Sequence, residues 1–295
     1  MTELSVIQRG SNHADDKDAI RPFQVTFPES DLTELRRRIN ATKWPERELV
    51  ADATQGVQLA TIQALARYWG TEYDWRKVEA RLNALPQFIT EIDGLDVHFI
   101  HVRSQHENAA FTGAPAPSGL AADEQHAFDR LAFFYKHGLG YALEMGDRPQ
   151  TLYGIADSPV GLAAWILDHD EASEALMARV FAGHSEGLTR DDILDNITLY
   201  WLTNTAISAA PLYWENKLAF FAPKNVAIPV AVSIFPDEVY AAPRSWVERA
   251  YPKLIHYNRL PKGCHFAAWE QPKFFCEELR ASFRSLRSGA VESAA

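Results

Sequence analysis

From Leu120 to Phe221 the chain shows no strand pattern, and that one stretch limits the possible folds more than anything else in the sequence. It reads as successive helices: DEQHAFDRLAFFYKHG, then GLAAWILDH with Ser158 as its N-cap and Pro159 at its first position, then a helix capped by Thr189. Strand signals occur only on either side. Upstream, QFITEIDGLDVHFIHV places Asp93-Gly94 between two β-rich runs, which predicts a tight hairpin. Downstream, residues 225–235 read as a buried strand, followed by a helix at RSWVERAY, a strand at KLIHYN and a closing helix AAWEQPKFFCEELRASFRSL. Strand, helix, strand and helix in alternation predict a parallel sheet, and hence an α/β protein interrupted by a helical block.

The N-terminal part adds three amphipathic helices. Phe23–Pro28 reads as a short strand, Ser30 as the N-cap of DLTELRRRINAT, and GVQLATIQALARYWG sets Leu59, Ile62, Leu65, Ala66 and Trp69 on one face before ending at Gly70. A third helix follows at DWRKVEARLNAL. The first twenty residues form a polar tail without an apolar run long enough for a signal peptide or a membrane span, which predicts a cytoplasmic protein. The balance of charge is −10, so polyanionic partners would be repelled over most of the surface: neither nucleic acid nor a membrane is expected. Cys264 and Cys276 are the only cysteines, and their spacing suggests neither a disulfide framework nor zinc. His98 and His101, three residues apart on a strand, face opposite sides, so no metal is expected there.

One short motif invites a catalytic reading. Gly183-His-Ser-Glu-Gly187 matches the G-x-S-x-G elbow that presents a nucleophilic serine. An elbow needs a strand delivering the serine and a helix starting at once behind it. Upstream of Ser185, however, Leu176, Met177, Val180 and Phe181 recur at helical spacing, and downstream Thr189-Arg-Asp-Asp192 is a capping box that starts the next helix four residues late. Ser185 is therefore expected in a helix–helix loop, with Gly183 as a C-cap.

Five collinear blocks, residues 21–46, 68–104, 151–168, 188–216 and 252–272, together resemble the microsomal-type epoxide hydrolases, including their N-terminal arm. The resemblance implies an α/β-hydrolase-like parallel sheet with a helical lid and an N-terminal helical arm. It also implies a small apolar or aromatic epoxide as substrate and no cofactor; Phe133, Phe134, Trp165 and Trp201 would suit such a substrate. By that resemblance Tyr141 and Tyr213 look like the two lid tyrosines that hydrogen-bond the epoxide oxygen. Glu238, with Asp237 as a rival one residue away, looks like the charge-relay acid, and His265 like the base. Two phenols supply neutral donors to an oxygen leaving as an alkoxide, and a histidine held by a carboxylate can deprotonate water at neutral pH. Cys264 stands where the family usually has glycine.

Two blocks that the family uses do not occur in the sequence: the His-Gly-Trp-Pro oxyanion loop and the Gly-Gly-Asp-Trp-Gly elbow that carries the nucleophilic aspartate. Both would lie between the hairpin and Leu120, where the family has about three strand–helix units at ~30 residues each. Here the interval is a linker rich in Ala, Pro and Gly. Asp157, ahead of Ser158-Pro159, reads as ordinary helix capping rather than as a substitute nucleophile. The expected organisation is a tail at 1–20, an arm with the first hairpin at 21–103, a linker at 104–119, a helical lid at 120–222 and a C-terminal α/β part at 223–290. With its central strands deleted, the chain is expected to be helix-rich and marginally stable, with little or no activity; a non-catalytic pseudoenzyme or truncated gene product is the alternative. The oligomeric state is not encoded in any of these features.

Overall fold

The computed structural model describes residues 21–50, 56–92, 95–100, 118–184, 187–215 and 226–288. The chain begins with β1 (Arg21–Pro22), α1 (Glu29–Asn40), α2 (Leu59–Thr71), α3 (Trp75–Asn83), β2 (Gln87–Ile92) and β3 (Leu95–Ile100). The helical block holds α4 (Ala122–His137), α5 (Gly140–Asp147), α6 (Tyr153–Asp157), α7 (Pro159–Leu167), α8 (Glu171–Phe181), α9 (Arg190–Leu202) and α10 (Ala210–Glu215). It is followed by β4 (Val230–Ile234), α11 (Arg244–Ala250), β5 (Leu254–Arg259), α12 (Ala267–Glu270), α13 (Pro272–Ser282) and α14 (Arg284–Ser288). Two compact units result, one from Met1–Pro28 with Asp74–His106, the other from Glu29–Tyr73 with Glu107–Ala295.

In the first unit β2 and β3 pair antiparallel from Gln87↔Ile100 to Ile92↔Leu95, as the hairpin signal predicted; the Asp93-Gly94 turn and His101 lie outside the described residues. The strand expected at Phe23–Pro28 is instead β1, two residues earlier, paired with β2 through Arg21↔Ile89 and Pro22↔Phe88. The physical reason lies in α3. After Phe23 donates to the Gln87 carbonyl, the chain leaves the sheet and is bound by side chains of that helix. Asn83 bonds both the N–H and the carbonyl of Val25, Glu79 accepts from the Phe27 N–H, and Arg76 donates to the Phe27 carbonyl. Side-chain amides and carboxylates here take over the pairing that a neighbouring strand would provide.

In the second unit the N-terminal helices find partners. Leu32, Leu35 and Ile39 of α1 are buried, as are Ile62, Leu65, Ala66 and Trp69 of α2, and these helices pack on α7 and α8. Three polar bonds then tie α2 and its end to α9. Tyr68 donates to Asp191 at 2.6 Å, Tyr73 to Asp195 at 2.9 Å and Trp69 Nε1 to Thr198 at 2.9 Å. Residues 191, 195 and 198 follow i, i+4, i+7 spacing, so they share one face of α9. The helices begin and end much as the sequence indicated. Ser158 accepts from the Gly161 N–H, Thr189 and Asp192 exchange the bonds of a capping box, and Gly183 has φ +96° just past the end of α8. Two details differ. Helix α1 starts at Glu29, so Ser30 sits inside its first turn and bonds Asp31 instead of capping, and Asp157 ends α6 in an ion pair with Arg38 while Ser158 does the capping.

The C-terminal strands pair in parallel, as the alternating pattern predicted, from Val230↔Leu254 to Ile234↔Arg259 with one irregularity after Val230. The expected strand over 225–235 shortens to β4 because Pro229 has no N–H to offer a ladder, and its residues are mostly half-buried. Glu278 of α13 holds the pair together: its carboxylate accepts from Ser233 on β4 and Asn258 on β5, and contacts His256 on β5 at 2.8 Å. The closing helix also breaks into α12 and α13 at Pro272.

Thr198→Val tests the α2–α9 contact. Thr198 and Trp69 are both buried, so the isosteric change strands the indole N–H without a partner, at a cost of roughly 1–3 kcal/mol. Denaturant unfolding should show a lower midpoint with an unchanged slope. Equal stability would mean that the bond contributes nothing.

Candidate functional site

The parallel pairing of β4 with β5 sets two strand ends side by side, and the loops that leave them carry Glu238 and His265. Leu260 donates to the Ile234 carbonyl at 2.8 Å and Asp237 to the Gly263 carbonyl at 3.1 Å, so the two loops are joined by backbone bonds. Gly263 has φ +127°, and a side chain there would lie 2.6 Å from the Phe235 ring. Only glycine fits both demands. Cys264, at the position where the resemblance leads one to expect glycine, keeps a negative φ, while its neighbour Gly263 takes the positive one. Its thiol is buried and pushed up to about 12, by burial first and by Glu270 next, which leaves it an inert core group.

Glu270 of α12, itself buried, accepts from the N–H groups of Cys264 at 2.7 Å and Phe266 at 3.2 Å, one on each side of His265. The turn is thereby fixed from behind. In front, His265 Nδ1 lies 2.7 Å from Glu238 Oε1, and the same oxygen accepts from the Val239 N–H at 2.7 Å. Of the two neighbouring acids weighed from the sequence, Glu238 is therefore the one that contacts the histidine. The backbone of Glu238 is held in turn by Arg130 of α4, which donates to its carbonyl. Burial tends to lower the pKa of His265, but the hydrogen bond and charge of Glu238 outweigh it, with Asp170 and Glu270 adding, and the net direction is upward. A raised folded-state pKa stabilises the fold below the ordinary value near 6.5, and that contribution is lost as pH rises through the folded value.

Tyr141 on α5 and Tyr213 on α10 also meet. Their rings sit edge to face with centroids 5.8 Å apart. Burial, followed by the charge and hydrogen bond of Tyr213, pushes the Tyr141 phenol up to about 12, so it stays a neutral donor at physiological pH. The aromatic residues expected around the substrate are less well placed. Phe133 is largely exposed against His137, and Trp201 lies beneath the Arg38 guanidinium, each engaged away from the tyrosine pair. A cleft of about 270 Å³ beside α11 and β5, lined by residues such as Arg244, Tyr251 and Tyr257, includes none of the four site residues. Ser185 lies outside the described residues, although helices α8 and α9 flank it as expected. Among the described residues no group of three or more His, Cys, Asp or Glu is arranged to hold a metal ion, and no helix is long and apolar enough to cross a membrane.

Three participants were not legible as site residues in the sequence: Glu270, Arg130 and His169. The ring of His169 stacks on that of His265 at 4.1 Å, and its Nδ1 lies 2.6 Å from Asp170. The run Asp168-His169-Asp170 between two helices was a local signal only of a polar loop.

Comparison with known proteins gives the class first. The structure resembles the epoxide hydrolase of Aspergillus niger, with a TM-score of 0.72 and 22% identity over 91% of this chain and 97% of that one. It likewise resembles the juvenile hormone epoxide hydrolase of the silkworm Bombyx mori, with a TM-score of 0.73 and 20% identity over 92% and 95%. The fold is that of the α/β-hydrolases, with few strands among the described residues. In sequence, residues 20–112 match the family profile described as the epoxide hydrolase N terminus. A protein of Stigmatella aurantiaca assigned as an epoxide hydrolase is 34% identical, covering 91% of this chain and 86% of the relative, and epoxide hydrolase 1 of the pig is 24% identical over 90% and 89%. The chain belongs to the epoxide hydrolase family. The alignment with the bacterial relative runs over 388 positions, more than the 295 residues of this chain, so that relative carries stretches with no counterpart here.

Alkaline titration of tyrosine absorbance tests the tyrosine pair. In Tyr213→Phe, Tyr141 loses the neighbour that adds to the effect of burial, so its transition should move down in pH from about 12 while remaining above the ordinary value. An unchanged transition would mean that the two phenols do not interact.

Proposed function

We propose that this chain is a nucleophile-deficient epoxide hydrolase, one that adds water to a small apolar or aromatic epoxide slowly and in one step. The bond between His265 and Glu238 carries this reading. It orients the imidazole so that Nδ1–H faces the carboxylate and Nε2 is the basic nitrogen. In the proposed step, Nε2 takes a proton from a water molecule as its oxygen attacks an epoxide carbon. The carbon–oxygen bond breaks, the released oxygen takes a proton from one of the Tyr141 and Tyr213 hydroxyls, and the histidine returns its proton to the tyrosine through solvent. Glu238 stabilises the transient imidazolium. The product is a vicinal diol, and no cofactor or metal takes part.

The absence of the Gly-Gly-Asp-Trp-Gly and His-Gly-Trp-Pro segments supports the loss of the ester-forming route. Positioned acid and base groups are typically worth about 10²–10⁴-fold, far short of a complete site. The same absence favours a second reading, a non-catalytic protein or truncated gene product whose tyrosine pair retains affinity for small apolar ligands. We extend the proposal to the organisation of the chain, with an arm at 21–103, a linker at 104–119, a lid at 120–222 and an α/β part at 223–290, and to a cytoplasmic location in keeping with two free thiols.

Hydrolysis of styrene oxide separates these readings. We expect a slow rate close to background that falls to background in His265→Ala, with no mass adduct on the intact protein during turnover. A burst of product or a covalent adduct would reveal a surviving nucleophile and overturn the one-step route. Rates equal in the parent and in His265→Ala, with ligand binding retained, would establish the non-catalytic reading.

A further inference from the structure

His169 belongs to no block of the proposed reaction, yet it lies against the centre of it. Its imidazole stacks on that of His265 at a centroid distance of 4.1 Å and an interplanar angle of 27°. Phe266 meets both rings edge-on, at 5.3 Å from His169 and 4.9 Å from His265. His265 is therefore gripped at its edge by Glu238, on one face by His169 and from the side by Phe266. Each contact restricts a different motion of the ring.

The loop that supplies His169 is itself tied down. Asp170 is the N-cap of α8: it accepts from the Ser173 N–H at 2.9 Å and the Ser173 hydroxyl at 2.7 Å, and its third contact is His169 Nδ1 at 2.6 Å. Burial opposes the charge on Asp170, but His169 and Ser173 outweigh it and hold the carboxyl down at about 2. At the other end of the loop, Glu174 of α8 is buried and hydrogen-bonds Asp168, and burial together with the neighbouring acids raises its pKa so that the proton stays on it. Both ends of Asp168–Asp170 are thus anchored to one helix, and the ring between them is presented to His265 as a fixed surface. His169 and His265 each face a carboxylate of their own, and Asp170 and Glu270 lie close enough to His265 to favour its charged form. The stack is thus electrostatically supported on both sides.

We propose that His169 is a positioning residue for His265: its ring, held by Asp170, braces the face of the His265 imidazole and keeps Nδ1 directed at Glu238. The inference rests on the reading of His265 as the base, but its test does not. A free ring could flip about its side-chain bonds and exchange the two nitrogens, and a misplacement of about an ångström can reduce a rate on the order of a hundredfold.

The experiment is proton NMR of the His265 side chain in the full chain, comparing the parent with His169→Ala, His169→Phe and His169→Asn. The carbon-bound ring protons of His265 should move downfield in His169→Ala, where the ring current above them is lost, and its Nδ1 proton should exchange faster with solvent. His169→Phe keeps an aromatic face and should restore both. His169→Asn keeps a donor towards Asp170 but removes the ring, so it should behave as the alanine variant does and serves if the latter fails to fold. Any slow epoxide hydrolysis should fall towards background in the alanine and asparagine variants, no further than in His265→Ala, and recover in the phenylalanine variant. Unchanged His265 resonances and exchange in His169→Ala and His169→Asn would overturn the proposal. Shifted resonances in a protein that hydrolyses no epoxide would sink the functional reading alone and leave the positioning role standing.

Discussion

The parallel pairing of β4 with β5 is the constraint on which the site depends. Parallel strands cannot be joined by a tight turn, so a helix must cross between them, and their C-terminal ends then emerge on the same edge. Here α11 makes the crossing, and the two emerging loops deliver Glu238 and His265 to one another. Nothing local in either loop would achieve this, because the two residues stand 27 positions apart. Among the described residues the pair is only two strands wide, so it needs help. Glu278 supplies it by binding a hydroxyl, an imidazole and an amide from both strands with one carboxylate. The bonds to a charged group are among the stronger ones available to a protein.

Around that pair the molecule is organised by helices. The α1 and α2 faces are buried against the helices of the block, and the bonds to Asp191, Asp195 and Thr198 fix α2 to α9. The strands carry the consequence of the shortening instead. Among the described residues they fall into a three-stranded antiparallel sheet and a two-stranded parallel one, in place of the broad central sheet that the α/β-hydrolase class leads one to expect. The contact between Glu238 and His265 is kept because the loops that carry them leave a strand pair that is contiguous in sequence.

Much of this was legible because its causes are local. The hairpin was marked by two β-rich runs, the starts of α7 and α9 by Ser158 and by the Thr189–Asp192 box, and the parallel pair by the alternation of strand and helix after residue 225. Family resemblance singled out Glu238 with His265 and Tyr141 with Tyr213, and the structure brings the members of each pair into contact. What escaped depends on distant partners. The Phe23–Pro28 segment has strand-like residues but is claimed by Asn83, Glu79 and Arg76, some fifty residues or more later. His169 looked like one polar residue among acids, since the ring that it stacks on lies 96 positions away and only the fold brings them together.

An NMR titration of the histidine side chains in the parent and in Glu238→Gln tests whether Glu238 holds and charges His265. His265 should titrate above the ordinary histidine value in the parent and its midpoint should fall in the variant, since the amide removes the charge that outweighs burial. A midpoint that is the same in both proteins, at the ordinary value, would contradict it.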